Sequence, residues 1–246
     1  MVGVFVVIIT SLVVIFAWGK DGLPPRALVF GLSVGAAGGV CQHLALALLF
    51  PGLGGGPVLT VAVCGLAGVA GTIAALRCGL RPALALARLA PAGVWHALGE
   101  AIALGVALGL ANVGMITLYR QIIPLPAWAV ALQERASATT VFLLSVQAGL
   151  TEETVFRLLA LPVFLWALRH LLAGRRERVS VAGALLLSAV IFVAVHGRLP
   201  PGYWVYATGA GVLLGLLFLR HGIEAPMVAH FLADLLSWGP VVMGWV

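Results

Sequence analysis

The stretch GLTEETVFRLLALP, residues 149–162, interrupts a run that otherwise reads as membrane. VFLLSVQA (141–148) precedes it and VFLWAL (163–168) follows it, and hydrocarbon would accept both. Yet Glu152, Glu153 and Arg157 fall inside the run. A charge at the bilayer centre costs about 2.5–3.5 kcal/mol on insertion scales, so such a cluster asks for a partner or a purpose.

The rest of the chain supports a membrane setting for this segment. Of 246 residues, 62% are hydrophobic and 9% charged, with mean hydropathy +1.14. A soluble domain carries about 25% charged residues. The expected fold is therefore an all-α, multi-pass bundle in contact with lipid. The net charge of +6 does not indicate nucleic acid, because the basic residues stand in short groups between apolar runs, where they act as topology signals. Cys41, Cys64 and Cys78 lie in or beside apolar segments without CxxC spacing, so they indicate neither a disulfide framework nor a zinc knuckle.

A span needs about 20 apolar residues, and eight segments qualify: 2–18, 27–50, 57–77, 96–118, 139–168, 180–197, 203–220 and 225–246. Gly, Pro and charge punctuate them, as in GKDGLPPR (19–26) and GRLPPG (197–202). The stretch 80–95, with Arg81 and Arg88, reads as an interfacial segment. The first apolar run lacks a basic n-region and is followed by Lys20 and Arg26, so a retained helix with an external N-terminus is expected. On that layout the cytoplasmic side holds Lys20, Arg26, Arg77, Arg81, Arg88, Arg169, Arg175, Arg176, Arg178 and Arg220. The external side holds only Arg120, Arg135 and Arg198, which agrees with the positive-inside rule.

Gly31, Gly35 and Gly39 repeat at four-residue spacing, as do Gly105/Gly109 and Gly211/Gly215, the signature of close helix packing in lipid. GLSVG at 31–35 also matches the GxSxG of nucleophile elbows. That motif needs a strand-to-helix turn, whereas Ser33 sits in an apolar helix, so packing is the reading taken.

Only eight acidic residues exist, and Glu152, Glu153 and Asp234 lie within spans; His196 and His230 lie within spans or near their ends. Three motifs gather them. In EETVFR, Arg157 is i+4 from Glu153 and can neutralise it, leaving Glu152 to point elsewhere as a candidate base. In FVAVH, Phe192 and His196 share a helical face. In HFLAD, His230 and Asp234 are again i and i+4, so the carboxylate is placed to orient the imidazole. Each motif alone is compatible with a structural cluster; together they supply a glutamate, two histidines and an aspartate from three helices.

In order and spacing these motifs resemble those of the CPBP family, the CAAX prenyl endopeptidases and their bacterial relatives, whose pattern is EExxxR, FxxxH and HxxxN or HxxxD. The resemblance covers about residues 139–246 as a catalytic core, while residues 1–138 carry N-terminal helices with no recognised motif. It implies an intramembrane endopeptidase in a bacterial cytoplasmic membrane, acting on a membrane-associated protein or peptide without a required cofactor. Glu152 and His196 would activate water, and His230 with residue 234 would stabilise the oxyanion. Glu153, Arg157 and Phe192 would support them. Where prenyl-protein endopeptidases have Asn, this chain has Asp234, and an ionised carboxylate accepts hydrogen bonds only. The reading favoured is that Asp234 orients His230. Zinc is the alternative, with Glu152, His196 and His230 as its ligands. The competing functions are a proton-coupled transporter and a non-catalytic scaffold or immunity protein.

One difficulty is geometric. Straight threading puts His196 at the outer end of its helix and His230 about 12 Å from the inner end, at about 1.5 Å per residue. The expectation is that 197–202 dips to membrane depth and borders a wet cavity where the two meet.

Overall fold

A computed structural model describes residues 25–49, 57–83, 91–121, 130, 133–173, 176–196 and 201–245. Seven helices among them are long and apolar enough to cross a membrane. In chain order they are α1 (Pro25–Leu49), α2 (Pro57–Arg77), α3 (Pro91–Arg120), α4 (Ala138–Leu171), α5 (Glu177–Val195), α6 (Pro201–His221) and α7 (Glu224–Val242). The expected span 2–18, and with it the external N-terminus, lies outside the described residues, as do 197–200 of the expected dipping loop.

Local chemistry explains the boundaries. α1, α2, α3 and α6 begin on proline, whose fixed φ suits a first helical turn and whose missing N–H is one the helix would leave unpaired there. Arg77, Arg120, Arg220 and His221 sit in final turns, where the helix dipole favours positive charge. Gly79 and Gly222 follow α2 and α6 at φ +70° and +87°, left-handed positions that glycine adopts without strain. One boundary departs from the sequence reading: α3 starts at Pro91, not near 96, so residues 91–95 of the expected interfacial segment belong to the helix. Pro91 allows the earlier start.

The glycine repeats are packing seams. A Cβ on Gly31 would come within 2.5 Å of the Gly68 carbonyl oxygen, one on Gly35 would collide with the Cys64 carbonyl, and one on Gly39 would lie 2.7 Å from the Val61 Cα. Gly105 and Gly109 bring α3 onto α7 in the same way, at the Ala229 carbonyl and the Leu236 Cβ. Ser33 is exposed in the unbroken α1, which excludes the nucleophile elbow. Large apolar side chains such as Val58, Leu110 and Val205 point outward, as lipid requires.

α4 is the irregular element. It is α-helical over Ala138–Gln147 and Leu161–Leu171, but widens into π-helix over Ala148–Glu152 and Thr154–Ala160. Pro162 cannot donate a backbone hydrogen bond, and the wide turns end just before it. The Phe156 carbonyl takes both the Leu161 N–H and the Ser188 hydroxyl, the latter at 2.7 Å, so α5 helps satisfy the disturbed ladder.

Candidate active site

Gly149 admits the site's first contact. A Cβ there would lie 2.7 Å from the Met227 carbonyl oxygen and 3.3 Å from the Phe231 Cβ, so α4 and α7 touch backbone to backbone at this level. Three and four residues farther on, the wide turn presents Glu152 and Glu153 to α7. Glu153 is completely buried, and one of its oxygens, Oε1, holds both Arg157 Nη1 at 3.0 Å and His230 Nδ1 at 2.6 Å. An ionised carboxylate accepts only, so His230 donates from Nδ1 and turns Nε2 the other way.

Arg157 is also fully buried, a placement disfavoured for a charge unless it is partnered, and its Nε has no hydrogen-bond partner among the described residues. It pairs with Glu153, donates to the Gly211 carbonyl at 3.4 Å, and lies over the Phe192 ring at 4.7 Å. Phe192 packs edge-on to Phe156 and also meets His196 and His230, with ring centroids 4.7 and 5.9 Å away. It is the hub on which the charged groups rest. Gly211 lets α6 close onto α5, since a Cβ there would stand 2.9 Å from the Ala189 Cβ.

His196 closes the site from α5. It caps the helix, and its ring folds back so that Nδ1 donates to the Phe192 carbonyl at 2.6 Å. Nε2 is thereby aimed at Glu152, 3.6 Å from Oε2; His230 Nε2 lies 3.9 Å from the same oxygen. The two histidines therefore meet at Glu152, although straight threading separated them. The wide turn of α4 carries Glu152 between the two imidazoles.

Asp234 takes a different place from the one expected. It is 3.8 Å from His230 Nε2, too long for a hydrogen bond, and on the side facing Glu152. The contact that fixes the imidazole is made by Glu153. Spacing of four residues put Asp234 beside His230, but the ring rotates towards the nearer, fully buried carboxylate on α4.

These side chains border a cavity of about 300 Å³. Glu152, His196, His230 and Asp234 form one wall; Leu108, Leu144, Val193 and Leu214 contribute apolar surface, and Asn112, Tyr203 and Tyr206 are further polar members. Asn112 was not singled out from the sequence; a lone amide in an apolar helix, one turn beyond the Gly105/Gly109 seam, was the available signal. Two imidazoles and a carboxylate are a zinc donor set. Among the described residues, however, no group of three or more His, Cys, Asp or Glu side chains is spaced to hold a metal ion. At 3.6 and 3.9 Å, the two imidazole Nε2 atoms flank the Glu152 carboxylate just beyond direct hydrogen-bond distance.

Comparison with known proteins bears on these same residues. Residues 134–236 match the family model described as type II CAAX prenyl endopeptidase Rce1-like, a stretch containing all three motifs. The sporulation-killing factor biosynthesis protein SkfC of Bacillus subtilis (strain 168) is 25% identical over 147 residues, which cover 53% of this chain and 27% of SkfC. The chain thus matches about a quarter of that relative's length. No solved structure matches the chain.

Proposed function

We propose that this chain, whose residues 134–236 match the Rce1-like CAAX prenyl endopeptidase family model, hydrolyses a peptide bond of a membrane-associated protein or peptide inside the bilayer. The observation that carries the proposal is the convergence of Glu152, His196 and His230, from α4, α5 and α7, on one cavity among membrane-spanning helices.

In this reading Glu152 and His196 Nε2 hold a water between them. Glu152 takes its proton as the oxygen attacks the scissile carbonyl carbon, then returns the proton to the leaving amine. The oxyanion is met by His230 Nε2–H. Only the imidazolium donates from both ring nitrogens, so this role needs a charged His230 with Glu153 as its counter-ion. Asp234 steadies that charge from the side and does not bind the oxyanion itself. Glu153, Arg157 and Phe192 act as positioning residues. Donors fixed in a water-poor cavity stabilise developing charge more strongly than the same groups in bulk water. No metal is assigned a step.

The substrate class rests on the family and on the relative whose name ties it to biosynthesis of a killing factor. A bacterial cytoplasmic membrane is the proposed location. The test compares the membrane and secreted proteomes of cells carrying wild-type or Glu152→Gln protein at equal abundance. Accumulated uncleaved precursors support a protease. Identical proteomes would refute it in favour of a scaffold, and a lost ion or solute flux without precursors would indicate a transporter.

A further inference from the structure

Two carboxamides border the cavity, Asn112 on α3 and Gln147 on α4, and only one of them is occupied. Asn112 is buried, with Nδ2 donating to Ser237 Oγ at 3.1 Å and Tyr203 as a second partner. Gln147 is partly exposed, and its side chain makes no hydrogen bond among the described residues. It is also deep. Glu134 and Arg135 precede α4, and nine steps from Ala138 at about 1.5 Å each put Gln147 about 14 Å along the span, near the middle of a hydrocarbon layer about 30 Å thick. An amide facing lipid there would be left without any partner. Facing the cavity, it is open to whatever enters.

The irregular turn of α4 aligns Gln147 with Glu152, five positions farther on. In an α-helix, five steps of about 100° leave two residues about 140° apart around the axis, on different faces. Here the π-helical stretch Ala148–Glu152 begins directly after Gln147. A π turn closes from residue i to i+5, which brings residues five apart towards one face. Gln147 and Glu152 accordingly border the same cavity. The widening of α4 thus turns a neutral amide and the candidate base into one space.

We infer that Gln147 is a substrate-positioning residue whose carboxamide pairs with the main-chain N–H and C=O of the peptide beside the bond to be cleaved. A segment presenting its scissile carbonyl to Glu152 is locally unwound, and at membrane depth its freed main-chain groups find no water in the lipid to pair with. The described residues form helices, whose main-chain groups are used internally, so they offer the peptide no strand edge to join. Side chains must supply the partners. A carboxamide carries two donors and an acceptor, the complement of a peptide group, and brings no charge beside Glu152. It reads the main chain whatever the side chains are. The aliphatic wall around it, with Leu49, Leu144 and Leu214, suits an apolar side chain on the residue so held. This inference rests on the protease reading above.

The probe is a synthetic peptide spanning the cleaved bond of a precursor that accumulates with Glu152→Gln, together with copies in which one main-chain amide at a time is replaced by an ester, which lacks the N–H. Gln147→Met keeps the side chain's length and removes its amide. With purified full-length protein it is expected to raise KM about tenfold and leave kcat within about threefold, the pattern of lost uniform binding. One ester copy is expected to suffer a loss of about the same size with wild-type protein and no further loss with Gln147→Met. Because the amide bonds to nothing else in the described protein, thermal unfolding of Gln147→Met in detergent should stay within about 2 °C of wild type. Gln147→Ala, as a second variant, should repeat the pattern. Equal kcat/KM for Gln147→Met and wild type would overturn the inference, as would ester penalties that persist undiminished in Gln147→Met. A marked loss of stability or failure to fold in both variants would overturn it too, by marking a structural role. If Glu152→Gln leaves cleavage intact, the protease reading itself fails; if Glu152→Gln is inactive and Gln147→Met matches wild type, only the positioning role fails.

Discussion

Between α1 and α2 the closest approaches are backbone on backbone, with Gly31 facing Gly68 and Gly35 facing Cys64. Between α4 and α7 a single glycine, Gly149, allows a similar approach, but the next contacts are the buried carboxylate of Glu153 and the imidazole of His230. Both pairs answer the same problem, because lipid gives helices no hydrophobic reason to associate. The first pair answers it with close backbone packing and one weak polar contact, Cys64 Sγ–H to Gln42 Oε1 at 3.8 Å. The second adds charge, which is costly at that depth, and it is the pair that borders the cavity. Where apolar packing was available and polar packing was used instead, the polar groups are best read as serving chemistry.

That contrast can be broken in several ways, the largest expected effect first. Arg157→Ala leaves buried Glu153 with His230 as its remaining partner, and breaking a buried pair costs about 3–5 kcal/mol. Thermal unfolding in detergent should therefore fall sharply; an unchanged transition would mean the pair is not what holds α4 in place. Gly35→Val overpacks the α1–α2 seam, where about 1–3 kcal/mol is the usual penalty. The same unfolding measurement should show the smaller loss, with kcat of the surviving folded protein close to wild type.

The next effects sharpen which carboxylate orients His230. Glu153→Gln removes the charge that accepts from Nδ1 and should lower the cleavage rate by about 100-fold, in the range of lost oxyanion stabilisation. Asp234→Asn alters a group at 3.8 Å and should stay within about tenfold of wild type. A reversal of that order would restore the orienting role to Asp234. Smallest of all, a metal chelator should leave the rate of purified protein within about twofold. A loss restored by zinc would instead make Glu152, His196 and His230 ligands.

Much of this was legible in the sequence, for reasons that can be assigned. Length and hydropathy fix spans, so the segments read at 57–77 and 203–220 became Pro57–Arg77 and Pro201–His221. The i+4 rule found the Glu153–Arg157 pair, because that contact lies within one helix. The same rule failed for His230 and Asp234, since the ring had a better partner on another helix. The widening of α4 was invisible, because no residue type demands a π-helix; Pro162 and Gly149 permit it, and tertiary contacts decide it. The meeting of His196 with His230 was likewise hidden, because threading treats every helix as straight and every loop as superficial. Asn112 was overlooked because its partner Ser237 is distant in sequence, and only the α3–α7 seam brings the two together.

The central claim is that Glu152 and His196 act on one water as a unit, and residues that act as a unit give non-additive losses. The most direct measurement is the single-turnover cleavage rate of one precursor-derived peptide by Glu152→Gln, His196→Ala and the double variant, all folded in the same membrane mimic. Each single change should cost about 10²–10⁴ in rate, and the double should cost no more than a few-fold beyond the worse of the two. Losses that multiply, or a Glu152→Gln protein that cleaves as fast as wild type, would contradict it.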